Sequence, residues 1–311
     1  MDPVQFFSTS RLLVVAGKGG VGKTTVTAAI ARAAAGQGQR VLVVELEAKS
    51  GLAAMLGAGT ELPHDEVVVA TGLGPSGQGE VRARLVTPAQ ALLDYLEEKG
   101  LRRLSNRLVR HGLLDLVATA APGIDDILVL GKVKKLERSG EADLLVLDAP
   151  AAGHAVRFLE SARGLLDAVH VGPINTQARE VLEMLSDPAR CQVVLVTLPE
   201  ETPVNEAVET AYALEDRVGV TLGPVVVNAL YPHVEGLDAD PGEGPEAGAL
   251  RDAAAFRRAR LALQDEQVAR LAAALALPQL HLPFVFTAGV GPAEVGVLAD
   301  ELLAGVAELA A

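Results

Sequence analysis

Ten consecutive residues, AGKGGVGKTT at positions 16–25, constrain the fold more than any other feature of the chain. Gly17, Gly22, Lys23 and Thr24 fill the pattern G-x-x-x-x-G-K-[ST], in which glycines let backbone N–H groups turn inward around phosphate oxygens. An apolar run precedes the pattern and an Ala-rich helical run follows it, so the loop leads from a strand to a helix N-terminus. The sequence therefore predicts a phosphate-binding loop, with Lys23 reaching the phosphates and the Thr24 hydroxyl binding Mg²⁺.

Short apolar runs alternate with longer Ala- and Leu-rich helical patterns along the rest of the chain. The strand candidates are RLLVVAG, RVLVVEL, ADLLVLDAP, QVVLVTLPE, GPVVVNA and QLHLPFV. Each is continuously apolar, as expected of parallel strands that helices cover on both faces. We therefore predict a single P-loop NTPase domain over residues 1–311, an α/β fold with a doubly wound, mostly parallel sheet.

Two segments interrupt this alternation. Approximately residues 87–138 hold several helical patterns with no strand between them, which predicts a helical sub-domain inserted in the sheet. Thr87 and Pro88 are typical of a helix N-cap and a first helical residue. Approximately residues 235–248 are rich in Gly, Pro and acidic side chains, which predicts a mobile loop before a long helix over 250–275.

The composition excludes several classes of protein. A formal net charge of −13 argues against nonspecific nucleic-acid binding, which needs a basic surface. The single cysteine, Cys191, excludes an internal disulfide and a metal site built from several cysteines of one chain. No stretch approaches the roughly 20 apolar residues that span a bilayer, and the first residues lack the pattern of a secretory signal. We therefore expect a cytoplasmic protein with a buried structural thiol.

Lys18 is a second lysine in the loop, although Lys23 already occupies the approach to the phosphates; a solvated loop lysine is one interpretation. The run GKGGVGKTT resembles the deviant phosphate loop of the ATPases that include ArsA, the tail-anchored-protein targeting ATPase, MinD, ParA and the nitrogenase iron protein. In that group the early lysine reaches the partner subunit's nucleotide, so the resemblance implies ATP, Mg²⁺ and a dimer in which Lys18 acts in trans. It further implies nucleotide contacts from the other loop residues, namely Gly19, Gly20, Val21 and Thr25.

A second segment narrows the resemblance to one branch of that group. LLVLDAPAAGHAVRFL, residues 144–159, resembles the D-T-A-P-T-G-H-T-L-R signature of the ArsA and tail-anchored-targeting ATPases. The resemblance implies that Asp148 holds Mg²⁺ through water, and that Gly153 presents its N–H to the γ-phosphate and moves when that phosphate leaves. Ala149 and Ala151 stand where threonines are usual, so hydroxyl contacts at those two points are not expected.

The adenine contacts come from later segments of the same resemblance. VVVNALYP matches a strand that ends in an adenine-recognising asparagine, which nominates Asn228. LPFVF is similar to a proline segment that flanks the base, which nominates Pro283 and Phe284. APGIDDILVLGKVKKL and VTLPEETPVNEAVETAYAL resemble further segments of the branch, so the resemblance spans nearly the whole chain.

The segment after the second strand, which is the first nucleotide-sensing switch of the family, departs from the family pattern in this chain. The family has D-P-A-H-[SN]-L after the second strand, whereas this chain has ELEAKSGL. This register places Glu47 at the position of the water-orienting aspartate. Glu45 is the alternative candidate for that position. The extra methylene of a glutamate displaces the carboxylate, and about 1 Å of displacement costs on the order of a hundredfold in rate, so we predict slow hydrolysis. A solvated loop carboxylate is the alternative for Glu47. Actinobacterial proteins described as anion-transporting ATPases share this first switch and occur as paralogous pairs, which leaves a homodimer and a heterodimer open.

Absent features limit the function further. One cysteine cannot rebuild the arsenite site, the C-x-x-C zinc clamp or the iron–sulfur ligands of the family, and three methionines cannot form a Met-rich client groove. The C-terminal run has no Lys or Arg, so no direct membrane anchor is expected. The expected function is an ATP-hydrolysing dimeric switch with an unknown protein client or membrane partner and no nucleic acid. The alternatives are a weakly catalytic regulatory subunit of a paralogous ATPase and a ParA- or MinD-like positioning ATPase.

Overall fold

The computed structural model describes residues 1–48, 51–111 and 123–309, without the side chain of Ala152. Two parts of the sequence predictions lie outside these residues. They are the middle of the expected helical insertion, residues 112–122, and Lys49 and Ser50 of the first switch.

Within the described residues, nine strands form one sheet in the order β3-β4-β2-β5-β1-β6-β8-β9, with the short β7 beside β6. The strands are β1 (Leu12–Gly17), β2 (Arg40–Glu45), β3 (Val67–Leu73), β4 (Gly79–Leu85), β5 (Leu144–Ala151), β6 (Cys191–Thr197), β7 (Thr221–Leu222), β8 (Val225–Leu230) and β9 (Gln279–Pro283). Neighbouring strands run parallel except at the edge pair β3 and β4. The predicted doubly wound, mostly parallel sheet is confirmed, and all six strand candidates belong to it.

Most of the helices connect strands, α1 precedes β1, α11 follows β9, and together they cover both faces of the sheet. They are α1 (Pro3–Ser8), α2 (Lys23–Gly36), α3 (Leu52–Met55), α4 (Pro88–Glu98), α5 (Arg102–His111), α6 (Ile124–Ser139), α7 (Ala152–Ala168), α8 (Pro173–Ser186), α9 (Glu201–Ala213), α10 (Ala247–Ala274) and α11 (Pro292–Glu308). In β1, Leu12 and Val14 face a core shared with α6 to α9, whereas Leu13 and Val15 face a core shared with α2 and α11. Burial on both faces is the reason that the strands read as continuous apolar runs.

The expected helical insertion contains α4, α5 and α6 among its described residues. The Thr87 hydroxyl accepts a hydrogen bond from the Gln90 amide at 3.3 Å, which caps α4 as the sequence indicates. Ile127 and Leu130 of α6 are buried in the main core, so this helix also covers the sheet. The boundaries of a separate sub-domain stay a prediction.

The chain forms turns before α10, which begins three residues earlier than the sequence indicates. The mobility expected of this loop stays a prediction. None of the described helices combines the length and the apolar character that a bilayer crossing requires.

Candidate nucleotide site

The predicted phosphate loop connects β1 to α2 at the carboxyl edge of the sheet. Gly22 is the N-cap of α2 with a φ of 90°, and a Cβ there would come within 2.3 Å of the Asn228 amide nitrogen. A Cβ on Gly17 would lie 2.3 Å from the Val196 carbonyl oxygen. Both positions therefore require glycine, because the loop passes so close to β6 and β8. The loop leaves the positive end of the α2 dipole facing the cleft, which favours an anion there.

Lys23 folds back over this loop. Its Nζ donates a hydrogen bond to the Lys18 carbonyl oxygen at 3.2 Å. Burial lowers the pKa of Lys23, and the nearby carboxylates of Asp148 and Glu47 oppose that shift. An anion bound in the loop would restore the interactions that burial removes from this ammonium group.

Asp148 is buried in β5 beside the start of α2. Its carboxylate accepts hydrogen bonds from the Thr24 hydroxyl at 2.8 Å and from the Thr27 hydroxyl at 3.2 Å. Burial raises the pKa of Asp148 to about 6, although these two hydrogen bonds and the charge of Lys23 oppose the shift. The strand continues for three residues beyond Asp148, so this carboxylate lies inside β5.

Thr24 and Asp148 fit a magnesium ion by their chemistry. Mg²⁺ prefers oxygen ligands, and it is usually held by one or two protein groups together with phosphates and waters. The hydroxyl and the carboxylate already form one hydrogen-bonded unit at the first turn of α2. The described residues hold no cluster of three His, Cys, Asp or Glu side chains suited to a metal. A metal here would therefore depend on the nucleotide for most of its ligands.

The two switch candidates differ in exposure. Glu45 ends β2 in register with Asp148 and is only 2% exposed, whereas Glu47 lies in the loop after β2 and is exposed. Of these two glutamates, Glu47 is the one that solvent reaches. Gly153 lies exposed in the first turn of α7, where backbone N–H groups have no partner within the helix.

Lys18 does not turn toward the phosphate side of its own loop. Its Nζ lies 2.5 Å from the Glu206 carboxylate of α9, and the two side chains are 38% and 36% exposed. The sequence carries no signal for this pair, because 188 residues separate its members.

A cavity of about 260 Å³ adjoins the phosphate loop on the side away from Asp148. Its lining residues are Gly20, Val21, Gly22, Leu198, Pro199, Glu200, Asn228, Ala229, Tyr231, Arg260, Gln264 and Phe284. The structure thus brings together the loop, Asn228 and Phe284 around one cavity. Pro283 is not among the lining residues; it ends β9 and pairs with Leu230 of β8.

Asn228 and Phe284 both contact other residues around the cavity. The Asn228 side-chain amide donates to the Val21 carbonyl oxygen at 2.9 Å, which joins β8 to the phosphate loop. A carboxamide has a second N–H and an oxygen, which suit the edge of a base. The Phe284 ring is 5.2 Å from that of Tyr231, with Phe286 next to both.

Sequence reasoning did not predict Tyr231, Arg260 or Gln264 as lining residues. Tyr231 lies inside the quoted segment VVVNALYP, which is the one signal that points to it.

Cys191 is fully buried at the start of β6, and burial raises the pKa of its thiol to about 12. The expectation of a buried thiol is confirmed.

Comparison with known proteins gives one family. The sequence model of the family described as anion-transporting ATPase matches residues 10–170. ATPase BagA of Mycobacterium tuberculosis is 34% identical over 236 residues, which cover 73% of this chain and 68% of that protein. A putative arsenical pump-driving ATPase of Halobacterium salinarum is 28% identical over 250 residues, 74% of this chain and 37% of that protein. The arsenical pump-driving ATPase of Acidiphilium multivorum is 30% identical over 224 residues, 70% of this chain and 35% of that protein.

The family match contains the phosphate loop, Glu47, Asp148 and Gly153, which the fold places at one edge of its sheet. The similarity to BagA covers most of both proteins. This chain belongs to the anion-transporting ATPase family, whose members are ATP-hydrolysing enzymes.

Proposed function

We propose that this ATPase works as a two-subunit switch, in which two chains close face to face on Mg·ATP and the nucleotide state controls the binding of a client. Each chain would hold its own nucleotide through Lys23 and Thr24, with Asp148 coupling Mg²⁺ to the second switch, the segment at Gly153 that moves when the γ-phosphate leaves. Lys18 would reach the nucleotide of the partner subunit. The pairing partner is a second copy of this chain or a paralogue.

The position of Lys18 is the observation that carries the two-subunit part of this proposal. Lys23 already fills the loop from within, donating to the Lys18 carbonyl oxygen. The Lys18 side chain instead points to α9 and lies on Glu206, 38% exposed. A lysine aimed out of its own phosphate loop is positioned for a nucleotide that approaches from outside the chain. Release from Glu206 would then accompany closure of the pair.

The chemistry requires little covalent participation from the protein. In phosphoryl transfer to water, catalysis is positioning together with electrostatic stabilisation of the charge on the transferred group. Lys23, the α2 N-terminus and Mg²⁺ would supply the stabilisation. Glu47 would position the attacking water, and the Gly153 N–H would follow the γ-phosphate. The longer side chain of Glu47, compared with an aspartate, supports slow turnover.

A client would engage the described helices of the insertion, α4 to α6. The client is a soluble protein or a membrane protein. Movement of Gly153 at the start of α7 would pass to these helices, because α6 and α7 pack against each other in one core.

The exposed glutamate in the first switch also favours a second candidate function. A chain with a misplaced water-positioning group would bind ATP, turn it over weakly and regulate a paralogous ATPase. Steady-state hydrolysis by the chain alone and mixed with a paralogue separates the two functions. Turnover by the chain alone supports the first, and turnover that appears only in the mixture supports the second.

Mixing two inactive variants tests the assignment of the lysines. In a mixed pair of Lys18→Ala and Lys23→Ala chains, the site on the Lys18→Ala chain keeps its own Lys23 and receives Lys18 from the partner. Random pairing should therefore restore about a quarter of the wild-type rate, since half of the pairs are mixed and one of their two sites is complete. If both lysines act within one chain, the mixture stays inactive and the two-subunit switch is wrong.

A further inference from the structure

We propose that Gln264 of α10 is a positioning residue that sets the preference for adenine over guanine nucleotides. It would act by fixing the segment from Asn228 to Tyr231 at the base end of the cleft. This inference rests on the proposed nucleotide site and extends it to residues outside the family signature described above.

One side chain bonds to the backbone of two residues of that segment, Ala229 and Tyr231. The Tyr231 backbone N–H donates to the Gln264 side-chain oxygen at 2.9 Å, and the Gln264 amide donates to the Ala229 carbonyl oxygen at 3.3 Å. Gln264 is 1% exposed. Burying an amide without partners costs free energy, so a glutamine at this position is favoured by the two bonds that it makes.

The segment needs such a clamp because its backbone is strained. Ala229 has a φ of 61°, in the left-handed region that residues with a Cβ rarely adopt. Conformations of this kind persist where the surrounding structure fixes them. Ala229 lies in β8 directly after Asn228 and two residues before Tyr231, at an irregularity in the pairing with β9, so its strained backbone affects how both side chains face the cavity that they line.

Other side chains on the same face of α10 also contact this segment or the walls of the cavity. Arg257, Arg260 and Gln264 recur at the spacing of one helix face. The Arg257 guanidinium lies 4.5 Å from the centre of the Tyr231 ring and donates to the Pro232 carbonyl oxygen at 2.7 Å. Arg260 pairs with Glu200 on the opposite wall of the cavity at 2.5 Å. The helix therefore holds the aromatic ring, the backbone and the far wall together.

Such a clamp would act on base recognition. The Asn228 carboxamide has one N–H bound to Val21, and its remaining N–H and oxygen read hydrogen-bonding groups on a purine. Adenine and guanine present opposite donors and acceptors on their pairing edges. Discrimination between them therefore depends on where this amide is held.

The test compares two buried glutamines of the same helix. Gln264→Leu removes both clamp bonds at similar volume. Gln267→Leu is the matched control, because Gln267 is 5% exposed, lies one turn away, does not line the cavity, and its side-chain oxygen has no hydrogen-bond partner among the described residues. Calorimetry would give the dissociation constants of ATP and GTP, and steady-state assays would give kcat and KM. Thermal unfolding would report the stability of each variant.

For Gln264→Leu we expect the ATP over GTP preference to fall about tenfold, with KM for ATP raised and kcat within about twofold of wild type. Gln267→Leu should leave the preference unchanged. Gln264→Glu keeps the acceptor for Tyr231 and loses the donor to Ala229, so it should lose part of the preference. Ala229→Gly should lower the preference without lowering the melting temperature, since glycine adopts this backbone without strain.

Equal weakening of ATP and GTP by Gln264→Leu, with a lower melting temperature, would show a purely structural role and overturn the inference. An unchanged preference in both Gln264→Glu and Ala229→Gly would also overturn it, even if Gln264→Leu does not fold. A wild-type chain that binds ATP without preferring it to GTP defeats this inference alone. A wild-type chain that binds neither nucleotide defeats the proposed function as well.

Discussion

The two ends of the nucleotide cleft differ in what holds them together. At the phosphate end, the half-buried Lys23 and the buried Asp148 lie near each other, and burial shifts the pKa of both away from its ordinary value. At the base end, the amides of Asn228 and Gln264 already have partners in the protein. The phosphate end is thus electrostatically incomplete without an anion and a cation, whereas at the base end the position of both amides is fixed by hydrogen bonds within the protein. Changes at the first should alter turnover, and changes at the second should alter affinity.

The largest effect is expected from Lys23→Ala. Loss of the ammonium that faces the phosphates should lower kcat by at least about a hundredfold, the usual cost of removing one preorganised charge-stabilising donor. Steady-state ATP hydrolysis measures it. Lys135→Ala is the control, because Lys135 is an exposed lysine whose carboxylate partner, Glu98, is 3.7 Å away at the surface. Unchanged turnover in Lys23→Ala would remove the enzymatic role of the loop.

Asp148→Asn should abolish Mg²⁺-dependent turnover and yet stabilise the nucleotide-free protein at pH 7. The folded-state pKa of about 6 lies above the ordinary 3.8, so the cost of ionisation to folding is absent well below pH 4, grows between about pH 4 and pH 6, and is constant above that. The cost at neutral pH is at most roughly 3 kcal/mol, from which the loss of one accepted hydrogen bond is to be subtracted.

Thermal unfolding of both proteins at pH 4 and pH 7 checks this sign. The melting temperature of Asp148→Asn should exceed that of wild type at pH 7, with the difference shrinking toward pH 4. A difference of the same size at both pH values would show that the burial of this charge is not what destabilises the protein.

Glu47→Gln should lower kcat by tenfold to about a hundredfold and leave KM for ATP nearly constant, because a water-positioning carboxylate acts in the chemical step. Glu47→Asp shortens the side chain to the length that is usual in the family and should raise kcat above wild type. If Glu47→Gln keeps the wild-type rate, the water-positioning group lies elsewhere, and Glu45 is the next candidate.

Phe284→Ala should raise KM for ATP by about tenfold with little change in kcat, since one aromatic contact with a base contributes roughly 1–3 kcal/mol. Val285→Ala is the control, because it shortens the neighbouring side chain without removing an aromatic ring. A fall in kcat with constant KM would contradict the division between the two ends of the cleft.

Glu206→Gln should give the smallest effect, a few-fold tightening of ATP-dependent pairing, because it frees Lys18 from a half-exposed ion pair whose strength is modest. Analytical ultracentrifugation with a non-hydrolysable ATP analogue measures it. Glu209→Gln, an exposed residue on the same helix α9, is the matched control. Weaker pairing in Glu206→Gln would assign this glutamate to the interface instead.

The phosphate end was more accessible to sequence reasoning because it is nearly contiguous. Ten residues between one strand and one helix contain most of it, and Asp148 follows from a single resembling segment. The base end is assembled by contacts between distant residues. Gln264 meets Tyr231 across 33 positions through a backbone hydrogen bond, and a glutamine in an Ala-rich helix has no periodic signature.

The same reasoning explains the strands that the sequence analysis did not find. β4 carries Arg82 and Arg84, and β3 is largely half-exposed, so neither reads as a continuous apolar run. Arg82 pairs with Glu66 at 2.7 Å, and such pairing makes charged side chains compatible with an edge hairpin. Glu206 beside Lys18 likewise follows only from the folded arrangement of β1 and α9.

The buried carboxyl group in β5 has a consequence for calorimetry. Near pH 6, about half of the nucleotide-free molecules carry a proton on Asp148. If the ionised form is the one that holds the metal, loading with Mg·ATP expels that proton into the buffer. The apparent heat of loading would then change with the ionisation enthalpy of the buffer at pH 6 and become independent of it near pH 8.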